Sequence, residues 1–104
     1  MLRIYSDYLA VLRDMRAVIS AIEARDTDLA RQLRRSAASV ALNMAEGSGN
    51  SGGTRRQRYF SALGSAREVM ATLEVADALG YVAVLAPLLR RIGSVVAVLV
   101  RVTG

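Results

Sequence analysis

Apolar positions along this chain recur at spacings of three and four, and polar or glycine-containing breaks divide them into four segments. From Ile4 to Ala24 the residues Tyr5, Tyr8, Leu12, Met15, Ile19 and Ile22 fall on one face of a predicted helix. Ile4, Val11 and Val18 make a second row beside it, while Arg13, Asp14, Arg16 and Glu23 are left to solvent. One apolar stripe buries a helix in a bundle; a second asks for a further partner. After Asp26-Thr27-Asp28, Thr27 or Asp28 is positioned to cap the next helix and to set negative charge at its positive end.

That second helix is predicted over Leu29–Glu46. It points Leu33, Val40, Met44 and a run of alanines inward and stops at Gly47. Ser48–Gly53 reads as a flexible turn. Its glycines have the look of a phosphate-binding loop, but no G-K-[ST] follows and no strand precedes, so an ordinary turn is the better reading. Thr54-Arg55-Arg56-Gln57 reads as a capping box opening a third helix that reaches Leu79. This helix is expected to bury Tyr59, Phe60, Leu63, Ala66, Met70 and Leu73, with Ser61, Ser65, Glu68 and Thr72 on its polar edge. Gly64 costs about 1 kcal/mol relative to alanine inside a helix, so a close helix crossing is expected there. Gly80 ends the third helix, and the fourth starts near Pro87, which suits a first turn. Leu85, Leu88, Leu89, Ile92, Val95, Val96, Leu99 and Val102 line it; its valines favour strand, but its length and spacing favour helix. The prediction is an all-α fold, an up-down-up-down antiparallel four-helix bundle in one domain spanning residues 1–104.

The stretch Gln32–Gly53 is the most distinctive. Three arginines, Arg31, Arg34 and Arg35, lead into small apolar residues with only Asn43 and Glu46 as polar groups near the helix end. Close packing between small residues makes a seam-bound amide or carboxylate costly unless it is hydrogen-bonded. The block Asn43–Gly49 (N-M-A-E-G-S-G) is followed by Gly64, Ser65 and Glu68 in a G-S-x-x-E pattern. In this order and spacing, through Leu33–Tyr81, the chain resembles the small four-helix-bundle proteins first noticed in intervening sequences of bacterial large-subunit ribosomal RNA genes. It is also similar at fold level to the accessory variability protein of diversity-generating retroelements, which associates with a reverse transcriptase and RNA. The resemblance implies a four-helix bundle that closes into rings, commonly pentamers. It implies no settled biochemical activity. A tryptophan common in the family's first helix is missing here, and Leu63 stands before Gly64-Ser65 where the family often has a basic residue.

Composition narrows the chemistry. With no cysteine and no histidine, a disulfide framework, a thiolate site and a Ser-His or Cys-His nucleophile are excluded. The commonest metal ligand is also missing, and neither a metal nor another cofactor is expected. The apolar stretch Gly80–Val100 is interrupted by Pro87, Arg90 and Arg91, so no membrane span is expected, and the N-terminus carries no signal-peptide pattern. A soluble cytoplasmic protein follows. Apolar surface on the first and fourth helices beyond what one bundle needs points to a homo-oligomer.

All fourteen basic residues are arginine against nine carboxylates, a net charge of +5. Coding bias is the better account of the absence of lysine, although the guanidinium fork suits phosphate. Helix order gathers Arg25, Arg31, Arg34, Arg35, Arg90 and Arg91 at one end of the bundle and Arg3, Arg55, Arg56, Arg58 and Arg101 at the other, about 25 Å away. Arg31, Arg34, Arg35, Arg55, Arg56 and Arg58 are the candidate nucleic-acid-binding residues, the last three standing at an exposed helix start. Solvated faces with local ion pairs, such as Arg31 or Arg35 with Asp28, are the plain alternative. Few exposed aromatics argue against base stacking.

Asn43, Glu46, Ser65 and Glu68 read as a buried polar network that sets helix register, joined by Arg35 or Arg67. The other readings make Glu46 and Glu68 an acid–base pair in a hydrolase or a metal site; both are less favoured than the network, and the metal site lacks the histidines usual in a bundle. The function expected is a non-enzymatic homo-oligomeric bundle whose basic surface binds RNA or DNA, as accessory to a nucleic-acid-processing protein. The alternative is a protein-only scaffold.

Overall fold

The computed structural model describes residues 2–50, 52–83 and 85–104, so Ser51 of the predicted turn lies outside the described residues. The chain forms four helices: α1 (Arg3–Glu23), α2 (Thr27–Ser48), α3 (Gly52–Ala78) and α4 (Ala86–Thr103), with no strand among the described residues. Each helix packs on its chain neighbours, most extensively α2 on α3, and α4 closes back on α1 with the slimmest contact of the four. The fold is all-α, and this packing is that of a helix bundle.

The core of α1 is Tyr8, Val11, Met15 and Ile22, drawn from both predicted rows. Tyr5, Leu12 and Ile19 are only half-buried. The difference arises because α1 packs on α2 to one side and α4 to the other, so the buried stripe runs between the two rows. Tyr8 crosses the seam: its hydroxyl donates to the Ala37 carbonyl at 2.8 Å, and burial pushes the group well above the ordinary tyrosine value.

The helix ends depart from expectation in three places. Asp26, ahead of both expected residues, caps α2 through Oδ1, which accepts the Leu29 N–H at 3.0 Å; Asp28 supplies the negative charge in the first turn. Gly47 does not stop α2, which continues to Ser48. Gly47 is buried because Tyr59 of α3 lies on it: a Cβ there would stand 2.6 Å from Tyr59 Cε1. Thr54 is not a cap, since α3 begins two residues before it, at Gly52. The end of α3 is as expected. Gly80, at φ 80°, lets its own N–H reach Asp77 O and the Tyr81 N–H reach Ala76 O, the Schellman pattern. Tyr81 then ties this end to the first connection, its hydroxyl 3.3 Å from Asp26 Oδ2.

Two expectations for α3 are overturned. Phe60 is not buried but 50 % exposed. Gly64 is exposed, and a Cβ there would meet nothing within 4 Å, so no close crossing explains it. Both lie outside the arc that α3 turns to its neighbours, which buries Tyr59, Ala62, Leu63, Ala66, Val69, Thr72, Leu73 and Ala76. Met70, also expected in the core, is half-buried at its margin. In α4 the core residues are Leu88, Ile92, Val95 and Leu99, while Val102 faces outward.

The two glycines therefore predict opposite outcomes. Gly47→Ala lowers the denaturation midpoint, because overpacking against the Tyr59 ring costs about 1–3 kcal/mol and outweighs the gain in helix propensity. Gly64→Ala raises stability by about 0.5–1 kcal/mol in the same urea titration. Tyr8 adds a pH effect with a definite sign. Its raised value means the folded chain holds the proton longer than the unfolded one, so this contribution is complete below the ordinary tyrosine value of 10.0 and declines as pH rises beyond it. Wild type should lose stability above that pH more steeply than Tyr8→Phe.

Candidate functional site

The small residues of α2 bring its outer edge close to α3, and the polar residues of the distinctive motifs meet along that seam. Ser39 is the hub. Its Oγ lies 2.8 Å from Ser65 Oγ, and Asn43 Nδ2 donates to both its carbonyl at 2.9 Å and its Oγ at 3.1 Å. Four residues separate Ser39 from Asn43, so one turn of α2 stacks them and presents the pair to Ser65. Each of the three is half-buried. Among the described residues no buried side-chain polar atom lacks a partner.

The carboxylates do not join this cluster. Glu46 and Glu68 are exposed, and among the described residues neither forms an ion pair. The expected buried network of Asn43, Glu46, Ser65 and Glu68 is therefore corrected within the single chain: Asn43 and Ser65 meet through Ser39, and the two glutamates stand outside. The reason is desolvation, since an unpaired carboxylate in the seam is too costly to bury. Arg35 and Arg67 make no hydrogen bond to either glutamate among the described residues. Sequence reasoning missed Ser39. Its one signal was helical spacing, four residues after Arg35 and four before Asn43.

Above the cluster the α2–α3 seam opens into two adjoining clefts that share Arg35 and Ser39. One, of about 540 Å³, carries Asp28, Arg31 and Glu68; the other, of about 590 Å³, carries Leu42, Glu46 and Arg58. Three arginines thus face three carboxylates along one groove, with Leu42 standing 69 % exposed beside them. Both glutamates sit in open clefts where nothing excludes water, which is poor ground for acid–base chemistry. Among the described residues no group of three His, Cys, Asp or Glu side chains gathers to hold a metal.

The six candidate arginines are not one patch. Arg31, Arg35 and Arg58 line the α2–α3 groove, so two sets expected at opposite ends meet in one cleft. Arg31 lies 3.5 Å from Asp28. Arg34 faces α1 instead, paired with Glu23 at 2.8 Å. Arg55 and Arg56 stand at the start of α3. Arg55 Nε donates to Asn50 O, and Arg56 Nε donates to Thr103 O, both at 2.9 Å. The Arg56 guanidinium also lies over the Phe60 ring, 5.3 Å from its centroid. All fourteen arginines are exposed, and three of them, Arg31, Arg34 and Arg91, form ion pairs among the described residues.

Fold and site together define a small all-α protein in which an N-M-A-E-G-S-G helix end and a G-S-x-x-E helix meet across one polar groove. Residues 2–100 match the family described as 23S rRNA-intervening sequence protein, and the chain belongs to that family. Comparison with curated proteins and with solved structures found no match. Among the described residues no helix is long and apolar enough to cross a membrane.

The separation of cluster from carboxylates is measurable. Glu46→Gln and Glu68→Gln should each change unfolding free energy by less than about 0.5 kcal/mol. Ser39→Ala should cost about 0.5–1.5 kcal/mol, because it removes a hydrogen-bond hub. A large destabilisation in either glutamine variant of the monomeric chain would restore the buried-network reading.

Proposed function

We propose that this protein is a non-enzymatic, homo-oligomeric helical bundle, ring-shaped and pentameric as the family resemblance implies, that binds nucleic acid through exposed arginines. RNA is the ligand this reading favours, and the protein acts in the cytoplasm as an accessory to a nucleic-acid-processing protein. Within each subunit the helices alternate up and down. Pairings between distant residues support that order: Tyr8 with Ala37, Ser39 with Ser65, Arg56 with Thr103, and Tyr81 with Asp26.

The observation that carries the reading is the disposition of charge. Every arginine is exposed, most form no ion pair among the described residues, and the chain belongs to a family described by a ribosomal RNA intervening sequence. Guanidinium groups left free at a surface are the groups that neutralise phosphates and release counterions. Of the two helices expected to self-associate, α4 exposes Val100 and Val102 while α1 exposes no large apolar side chain among the described residues; with Leu42, Val75 and Leu79 elsewhere, the exposed apolar residues support self-association.

A second reading, a protein-only scaffold, is favoured by the α2–α3 groove itself. Its arginines and carboxylates balance around an exposed leucine, which suits a protein surface of mixed charge better than a polyanion.

Size-exclusion chromatography with light scattering, with and without a mixed RNA and DNA pool at low and high salt, separates the two. The proposal expects an oligomer that takes up nucleic acid at low salt and releases it at high salt. In Arg55→Ala/Arg56→Ala/Arg58→Ala the slope of log affinity against log salt should become shallower by roughly 0.9 for each duplex phosphate that is no longer neutralised. An oligomer that ignores nucleic acid at low salt leaves the scaffold reading, and a monomer overturns the self-association.

A further inference from the structure

We infer that Phe60 and Arg56 form a stacking platform for an unpaired base, so that the nucleic acid bound at this end of the bundle is single-stranded. This rests on the nucleic-acid reading above and adds the class of strand it takes. Phe60, an aromatic residue expected in the core, is instead half out in solvent, where its apolar ring gains little from the fold. Arg56 is held over that ring at 5.3 Å while its Nε is anchored on the Thr103 carbonyl at 2.9 Å. Two flat groups, ring and guanidinium, are thus held against each other, and both are surfaces on which bases stack in single-strand recognition.

The charge around the pair suits a phosphate backbone. Arg55 stands beside Arg56 at the start of α3, and Arg101 lies two residues before the Thr103 carbonyl that holds Arg56. From Gly52 to Arg67, and throughout α4, the chain carries no carboxylate. Glu46 of α2 shares the groove with Arg58, on the opposite flank of α3 from Phe60. A duplex keeps its bases stacked on one another and offers this pair only its backbone, whereas a single strand offers backbone and base faces together.

The test measures fluorescence anisotropy of a labelled single-stranded oligoadenylate, and of its duplex with oligouridylate, bound to the full-length protein. Wild type should prefer the single strand. Phe60→Leu, which keeps an apolar side chain but removes the ring, should bind the single strand about tenfold more weakly, the scale of one base–aromatic stack. Its duplex binding and oligomeric state should stay unchanged, and Phe60→Tyr should bind like wild type. Phe60→Trp, in a chain that otherwise has no tryptophan, should be quenched by the single strand alone. Equal binding of the single strand by Phe60→Leu and wild type overturns the platform while leaving arginine-based binding intact. A changed oligomeric state in Phe60→Leu also overturns it, by assigning the ring to contact with a second copy. Failure of both strands to bind wild type at low salt overturns the platform and the broader reading together.

Discussion

The close approach of α2 to α3 is the constraint from which the rest of the structure follows. Gly47 lies so near the Tyr59 ring that even one added carbon has no room, and the alanines before it leave the seam free of bulk. Packing at this distance rewards dispersion contacts and excludes water, so a polar side chain within the seam must find its partner there. Ser39, Asn43 and Ser65 do, through hydrogen bonds of 2.8–3.1 Å. Larger and charged groups on the same helix edges are turned outward, where they border the groove instead of filling the seam.

The motif residues therefore divide by physical task. Gly47 sets the distance between the helices, while Asn43 and Ser65 join through Ser39 and satisfy one another in the space that distance leaves. Glu46 and Glu68 remain in solvent as free charges along a groove that also holds Arg31, Arg35 and Arg58. A pattern of residues that looks like one network in a linear sequence is thus three devices in space, and only the last is open to a partner.

Charge is distributed unevenly over this small body. Along the α2–α3 groove opposite charges balance, while the start of α3 and all of α4 carry arginine without any carboxylate. A balanced surface discriminates among protein partners by matching individual pairs; an unbalanced one attracts a polyanion at longer range. The two readings of function thus draw on different faces of one bundle.

The helical segments, their number and most of the core were legible in the chain itself, because burial on a helix imposes a spacing of three and four that Tyr8, Met15, Leu33, Leu73 and Ile92 obey. The stop at Gly80 was legible too, since only a residue without a side chain takes its φ comfortably. Other features depended on which neighbour each face meets, which no local pattern records. Gly47 and Gly64 look alike in sequence, yet one is pressed against an aromatic ring and the other against nothing. Phe60 is as apolar as Tyr59 and one residue away, but about 100° around the helix it faces solvent. Ser39 became a hub only when Ser65, 26 residues later, was brought across the seam to it. Periodicity along one helix determined what could be buried; the packing of one helix against the next decided what was, because burial belongs to pairs of surfaces and a sequence displays them one at a time.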